Sequence, residues 1–144
     1  MILLIQRIKG SEIKVDGKLV AKSGKGLLLY VGFEREDNLD LVEQVGKKVI
    51  ELKIFGEKWE KTVKEIGGEI IVISNFTLPG RVKGKRINFS RSLKFEEAEK
   101  LYHHLIKVIG REVPCKSGIF GAMMEITSTV DGPVNLLIQK KNGE

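Results

Sequence analysis

The sequence predicts an α+β fold: a single domain over residues 1–144 whose largely antiparallel, barrel-like β-sheet is covered by two amphipathic helices. Three observations support this class. The dipeptide Asp16-Gly17 separates two strand-like segments and suits a tight hairpin turn. The run Gly26–Phe33 is apolar on both faces, as a central strand is. Residues 38–52 and 95–109 change to helical spacing. A chain of 144 residues can bury a core of this kind without disulfides.

The strands are predicted from apolar runs bounded by turn residues. The prediction ends with two separate strands on either side of Asp131-Gly132-Pro133, because proline cannot donate to a sheet ladder. In chain order the predicted strands are Met1–Ile8, Glu12–Val15, Lys18–Lys22, Gly26–Phe33, Glu69–Ser74, Gly121–Thr129 and Val134–Gln139.

The two helices are predicted from apolar residues three or four positions apart. Asp37 or Asn38 can cap the first helix by accepting a free backbone N–H. Glu96 and Glu97 suit the positive end of the second helix dipole. The apolar positions are Leu39, Val42, Val45, Val49 and Leu52 in the first helix, and Ala98, Leu101, Tyr102, Leu105 and Ile109 in the second.

The charge and the apolar content restrict the class of protein. The net charge of +6 favours an anionic partner such as RNA, although an ordinary solvated basic surface explains it as well. No apolar run reaches the roughly 18 residues of a membrane span. The beginning of the chain also lacks the order of a signal peptide. We therefore expect a soluble, cytoplasmic protein without a membrane partner.

The residues that usually bind metals or act as nucleophiles give no recognisable site. Cys115 is the only cysteine, so no intrachain disulfide or cysteine cluster forms, and a buried structural role is expected for it. His103 and His104 are adjacent in a helix and point about 100° apart, so they cannot ligate one metal together. We expect neither a metal nor a cofactor.

The segment Ser74–Leu78 follows a predicted buried strand directly. Hydroxyls and free backbone N–H groups at a strand end are suited to bind an ester and its developing oxyanion. Ser74 and Thr77 can equally satisfy backbone groups where the strand ends. On the chemistry alone the second, structural role is preferred.

The segment Arg81–Lys94 is basic and contains no acidic residue. Gly80 and Gly84 suggest a flexible loop, in which Phe89 can stack on a base. Either phosphate contact or plain solvation explains the segment. Its basic residues are Arg81, Lys83, Lys85, Arg86, Arg91 and Lys94.

A third candidate site combines Phe120–Met124 with Asp131–Asn135. Gly121 and Ala122 have little or no side chain, so a flat ligand can approach the backbone between Phe120 and Met124. An ordinary turn between two strands is the simpler explanation of these residues.

Taken together, the segments resemble the D-aminoacyl-tRNA deacylase family over nearly the whole chain. Each segment is weak evidence alone, and the likeness lies in their common order and spacing. The segments are Ile5-Gln6-Arg7, Val15-Asp16-Gly17, Gly26–Gly32, Glu34-Arg35-Glu36-Asp37, Leu52-Lys53-Ile54-Phe55, Gly67-Gly68-Glu69, Ser74–Leu78, Lys83-Gly84-Lys85-Arg86, Phe89-Ser90, Gly118–Ala122 and Asp131–Val134.

The resemblance implies a homodimer with active sites at the subunit interface. In this family a Gly-cisPro pair, Gly132-Pro133 here, enters the partner's pocket, and Arg7 matches the arginine that holds it. The two carbonyl oxygens of the pair would accept hydrogen bonds from the substrate α-amino group. An L side chain would meet the backbone and be rejected, whereas glycine would pass.

The resemblance also implies an enzyme that hydrolyses the ester of D-aminoacyl-tRNA without a cofactor. Ser74, Phe76 and Thr77 match the family's catalytic strand end, where backbone N–H groups, including that of Phe76, stabilise the oxyanion. The terminal ribose 2′-OH of the tRNA supplies most of the catalysis, so Thr77 lines the pocket and is not expected to be the nucleophile. Lys83, Lys85 and Arg86 are expected on the tRNA backbone, and the residues matching the terminal-adenine pocket are Phe120, Gly121, Ala122 and Met124.

Three positions depart from the family pattern, which usually has Gln at position 75, Asn at 130 and Thr at 135, where this chain has Asn75, Val130 and Asn135. These changes leave two alternatives open. One is a relative that removes an L-amino acid from mischarged tRNA through a trans Gly-Pro bond. The other is a catalytically silent tRNA-binding module, which the basic segment also suits.

Overall fold

The computed structural model describes residues 1–144 as one six-stranded sheet, two helices and a separate two-stranded hairpin. The sheet curls into a nearly closed, barrel-like surface, and the predicted fold class is confirmed. The elements are β1 (Ile2–Val15), β2 (Lys18–Ser23), β3 (Gly26–Gly32), α1 (Leu39–Glu51), β4 (Glu69–Ser74), β5 (Arg81–Lys83), β6 (Arg86–Asn88), α2 (Phe95–Gly110), β7 (Cys115–Ser117) and β8 (Glu125–Gln139).

The order of strands in the sheet is β2-β1-β3-β4-β7, and β8 pairs with β1. The three pairs that involve β1 are antiparallel, whereas β3/β4 and β4/β7 are parallel. Parallel neighbours need a crossover connection. Helix α1 lies in the connection from β3 to β4, and α2 lies in that from β4 to β7.

The helices begin where the sequence predicts and cover one face of the sheet. Asn38 caps α1, since its Oδ1 accepts the Leu41 N–H at 3.0 Å. A cluster of 23 buried residues fills the space between helices and sheet, and a cluster of five occupies the other face. Tyr102 of α2 places its hydroxyl 2.9 Å from both Val72 O and Gly118 O. Neither helix combines the length and apolarity needed to cross a bilayer.

The end of the chain differs from the prediction of two strands, Gly121–Thr129 and Val134–Gln139. A single strand, β8, runs from Glu125 to Gln139, and residues 121–124 precede it as turn and irregular structure. Val130 pairs with Ile8 and Asn135 pairs with Gln6, so four residues bulge opposite Arg7. Pairing resumes beyond the bulge, and therefore the proline does not end the strand.

Two short elements were not predicted. The segment Arg81–Lys94 was expected to be a flexible loop, but it contains the β5/β6 hairpin around Gly84. β7, residues 115–117, pairs with β4. Strands of three residues are too short to show the alternation on which sequence prediction depends.

Candidate functional site

The first part of the site is the turn that follows β4. Its backbone is tied back to β3, because the Asn75 N–H donates to Val31 O at 2.8 Å. Two further bonds close the turn: the Leu78 N–H donates to Asn75 O at 3.3 Å, and the Gly80 N–H donates to Thr77 O at 2.9 Å. The segment Ser74–Leu78 is thus a well-defined turn at the end of a buried strand.

The Asn75 side chain determines which polar groups of this turn remain free. Its Oδ1 accepts both the Thr77 N–H, at 3.2 Å, and the Thr77 hydroxyl, at 2.5 Å. The Phe76 N–H has no acceptor within the protein. An amide oxygen is not a base, so this contact does not activate Thr77 as a nucleophile. The free Phe76 N–H is a donor available to an anionic oxygen.

Gly32 lets the turn pack directly against the end of β3. A Cβ at this position would lie 2.6 Å from Pro79 Cδ and 2.8 Å from Leu78 Cβ. Such contacts are closer than atoms can approach, so any side chain here would displace the turn. The position of the Phe76 N–H therefore depends on a glycine in the neighbouring strand.

Phe120 joins this first part of the site. It lines a small cavity of about 30 Å³ together with Ser74 and Phe76. The Phe120 ring packs edge-on against Phe95, with 4.9 Å between ring centroids, and lies 5.4 Å from Tyr102. The tertiary structure thus brings together two sequence segments about 45 residues apart.

The remaining residues of the expected adenine pocket are divided between two regions. Phe120 packs against the helix-side core cluster, whereas Met124 packs against the cluster on the other face of the sheet. Gly121 has a φ of +80°, and a Cβ there would lie 2.9 Å from the Phe95 ring. The Ala122 N–H donates to Ile119 O at 3.2 Å. Phe120 and Met124 therefore pack against different core clusters, and the adenine pocket stays a prediction.

The second part of the site is the bulge of β8 opposite Arg7. The Gly132-Pro133 peptide bond is cis, the form that the resemblance implies. Arg7 Nη1 donates to Ile54 O at 2.6 Å, and Arg7 Nε lies 3.3 Å from Asp131 Oδ2. The Arg7 side chain is only 16% exposed. Arg7 is therefore held beside the Gly-Pro pair.

Aromatic rings complete the surroundings of Arg7. Its guanidinium lies 5.6 Å from the centroid of the Trp59 ring and 5.9 Å from that of Phe55. Both distances are within the range of cation–π attraction. Sequence reasoning included Asp131 in a candidate segment without giving it a role, and it did not assign Trp59 to the site. An arginine inside an apolar strand was the available signal, because a buried cation requires partners.

The two parts lie far apart in a single chain. Arg7 pairs with Leu27, and Leu27 pairs with Ile70 in β4. The bulge and Ser74 are thus separated by three strand spacings across the sheet and by four residues along it. These spacings correspond to roughly 20 Å. Measured along the sheet, the two parts of the site are therefore separate in a single chain.

A model of the family described as D-Tyr-tRNA(Tyr) deacylase matches residues 4–139. The matched range includes both parts of the site. The chain belongs to this deacylase family.

Full-length relatives of the family are similar. The chain is 42% identical over 149 residues to the D-aminoacyl-tRNA deacylase of Rippkaea orientalis, with 97% of this chain and 100% of the relative covered. It is 39% identical over 137 residues to the D-aminoacyl-tRNA deacylase of Nautilia profundicola, with 94% and 97% covered.

Solved structures share the fold. The c-Myc DNA Unwinding Element Binding Protein superposes with a TM-score of 0.91 at 28% identity, covering 97% of this chain and 99% of that one. A probable eukaryotic D-amino acid tRNA deacylase gives a TM-score of 0.82 at 16% identity, covering 95% and 97%. The latter likeness concerns the fold alone.

The basic residues expected to contact tRNA in this deacylase family member lie on the β5/β6 hairpin. Lys83 ends β5, Arg86 begins β6, and Lys85 lies in the turn between them. All three are exposed, and none forms an ion pair. Their charges are therefore available to an anionic partner.

Neither Cys115 nor the two histidines line the small cavity formed with Ser74, Phe76 and Phe120. Burial raises the pKa of the Cys115 thiol to about 12, so the thiol stays protonated at neutral pH. His104 Nε2 lies 3.1 Å from Glu43 Oε1 and so connects α2 to α1. Cys115 is half-buried, whereas a buried position was expected, and His103 is exposed at the surface of α2.

Proposed function

We propose that this protein hydrolyses the ester that joins a D-amino acid to the 3′ end of tRNA. Water adds across the acyl–oxygen bond, so the free D-amino acid and the tRNA ribose hydroxyl are the products. The observation that carries the proposal is the free Phe76 N–H in the Ser74–Leu78 turn, in a chain that matches the family over residues 4–139. Aminoacyl-tRNA is used in the cytoplasm, which is the proposed place of action.

In the proposed mechanism the ester carbonyl lies at the end of β4. Negative charge develops on its oxygen as the tetrahedral intermediate forms, and the Phe76 N–H donates a hydrogen bond to that oxygen. The Thr77 hydroxyl donates to Asn75 Oδ1, which is not a base, so Thr77 is not activated as a nucleophile. Its proposed role is to line the pocket beside the ester. The 2′-OH of the terminal ribose is the proposed assisting group, because the substrate holds it beside the reacting carbon.

We propose that a homodimer completes the site. The Gly132-Pro133 pair of a second copy enters the pocket beside Ser74 and Phe76, and its carbonyl oxygens accept hydrogen bonds from the α-amino group. The separation of roughly 20 Å between the two parts within one chain supports this arrangement. Isologous dimers of this kind are the commonest protein assemblies.

Stereochemical selection is proposed to work by exclusion. With the amino group and the ester both held, the side chain of an L-amino acid points at the backbone of the Gly-Pro pair, and that of a D-amino acid points away. Arg7 keeps this backbone in place through its contacts with Ile54 O and Asp131. Glycine has no side chain to exclude, so glycyl-tRNA is a proposed substrate as well.

The test compares D-tyrosyl-tRNA, L-tyrosyl-tRNA and glycyl-tRNA, each against its spontaneous hydrolysis. We expect rapid release from the D-tyrosyl and glycyl esters and only background loss from the L-tyrosyl ester. Hydrolysis of the L ester alone would instead assign the chain to L-specific relatives. Size-exclusion chromatography with light scattering measures the proposed dimer independently.

A second candidate function is a nucleic-acid-binding module without turnover. The exposed basic hairpin favours it, as does the similarity to a structure named for binding a DNA element. This function predicts salt-sensitive tRNA binding with no hydrolysis of any ester above background. The Ser74–Leu78 turn would then have only its structural role.

A further inference from the structure

A groove with basic walls lies between the β5/β6 hairpin region and the end of β8. Its volume is about 280 Å³. Arg81 and Arg91 line one wall, and Lys140 and Lys141 line the other. Positions 91 and 140 are 49 residues apart in the sequence, so only the folded chain brings these four cations together.

None of the four cations is neutralised by a neighbouring carboxylate. The ion pairs of the protein do not include Arg81, Arg91, Lys140 or Lys141. Two carboxylates also line the groove, Glu34, which pairs with the Met1 amino group, and Glu144, which stays beside Lys141. Glu34 Oε1 lies 3.2 Å from the Met1 amino group, and Glu144 Oε2 accepts the Lys141 backbone N–H at 3.1 Å.

The wall that carries Arg91 is held firmly. The Arg35 N–H donates to Arg91 O at 2.9 Å, and the Leu93 N–H donates to Phe33 O at 3.1 Å. The segment after the hairpin is therefore fixed to the continuation of β3. A groove with fixed walls can bind a partner without paying the entropy of ordering a loop.

The groove begins next to the turn that we propose as the catalytic end. Arg81 follows Gly80, whose N–H donates to Thr77 O at 2.9 Å. Phe76 and Phe89 stand between the turn and the hairpin with 5.5 Å between ring centroids, and both rings are partly exposed. A nucleotide strand that ends at Phe76 therefore meets both aromatic rings and cations, the two kinds of contact that proteins combine to bind single-stranded nucleic acid.

We propose that this groove binds the phosphate backbone of the tRNA acceptor stem, with Arg81 and Arg91 on one side and Lys140 and Lys141 on the other. The inference rests on the proposed function, because the ester at Phe76 defines which end of the RNA approaches. The proposed groove adds phosphate contacts at the end of β8 to those already expected on the β5/β6 hairpin. Two opposed walls fix the direction in which the stem leaves the site.

The test separates binding of the stem from chemistry at the ester. The variant Lys140→Ala/Lys141→Ala is assayed with D-tyrosyl-tRNA and with D-tyrosyl-adenosine, which has no stem. We expect KM for D-tyrosyl-tRNA to rise about tenfold, and its kcat/KM relative to that for D-tyrosyl-adenosine to fall by the same factor. The slope of log Kd for uncharged tRNA against log salt should decrease by about 2. Arg81→Ala, on the opposite wall, should act in the same direction.

Lys14→Ala/Lys18→Ala is the matched control, since it also removes two positive charges. Both lysines are exposed and unpaired at the β1/β2 hairpin, roughly 40 Å along β1 from the groove. We expect this variant to bind tRNA like the wild type. Equal losses of tRNA affinity in the two variants would contradict the proposed role of the groove. Unchanged tRNA binding after the Lys140/Lys141 change would contradict it as well.

Failure of the proposed function gives a different result. If the wild type hydrolyses neither D-tyrosyl ester, the deacylase proposal is wrong. The affinity of uncharged tRNA still tests the groove in that case, because the assay needs no turnover. A selective loss of affinity in the Lys140/Lys141 variant supports the groove whether or not the ester is hydrolysed.

Discussion

The turn after β4 and the bulge of β8 position their functional backbone groups in different ways. In the turn, the important group is the Phe76 backbone N–H, which the protein leaves without an acceptor, and the neighbouring side-chain contact, between Asn75 and Thr77, spans only two residues. In the bulge, the Gly-Pro backbone is held by one side chain, Arg7, whose partners come from two segments, residues 54–59 and β8.

This difference indicates how each region responds to mutation. The turn uses main-chain groups, so changing its side chains should do little unless the backbone moves. The bulge depends on a partly buried cation, and removing that cation leaves the Asp131 carboxylate and the Ile54 carbonyl without this partner. Polar groups left unpaired away from solvent are costly. Three substitutions test this comparison.

Arg7→Ala should have the largest effect. We expect the free energy of unfolding to fall by about 2–4 kcal/mol, because partly buried polar groups lose their partner. The ratio of D- to L-tyrosyl-tRNA hydrolysis should fall at least tenfold as the Gly-Pro backbone loosens. Urea unfolding and initial rates measure the two effects. Arg7→Lys keeps the charge but not the planar fork, so an intermediate result is expected. Unchanged selectivity in Arg7→Ala would show that the Gly-Pro backbone keeps its position without Arg7.

Gly32→Ala should come next, with an effect on turnover through backbone movement. The new Cβ would lie 2.6 Å from Pro79 Cδ, so the turn must shift and carry the Phe76 N–H with it. A displacement of about 1 Å at a reacting group costs roughly 100-fold in rate. Single-turnover hydrolysis of D-tyrosyl-tRNA measures this loss. Gly24→Ala is the control, since no atom lies within 4 Å of its added Cβ. Equal rates for the two variants would show that turnover does not depend on the position of the turn.

Thr77→Ala should have the smallest effect. The hydroxyl is lost, but Asn75 Oδ1 still accepts the backbone N–H at position 77. We expect kcat to stay within about tenfold of the wild type, because Thr77 is not the proposed nucleophile. Thr77→Ser, which keeps the hydroxyl, separates its contribution from that of the methyl group. A loss of a thousandfold or more in Thr77→Ala that Thr77→Ser restores would make Thr77 the nucleophile instead.

Much of the fold could be predicted because its signals are local. Each of these signals is contained in a short stretch of sequence. They are the helical spacing of residues 38–52 and 95–109, the Asp16-Gly17 turn and the apolar run at residues 69–74. The prediction failed where pairing overrides local pattern. β8 continues past Pro133 because β1 pairs with it on both sides of the bulge. β7 exists only because β4 offers an edge.

For the site, the types of residue and their family pattern could be recognised without the structure: the Ser74–Leu78 segment, the Gly132-Pro133 pair and the basic segment Arg81–Lys94. Which of these residues lie together became known from the folded chain. It brings Phe120 to Ser74, separates Met124 onto the other face of the sheet, and joins Lys140 to Arg81 across a groove. The physical reason is that these contacts depend on how strands pair and curl, and residues far apart in sequence carry no local signal of their distance in space.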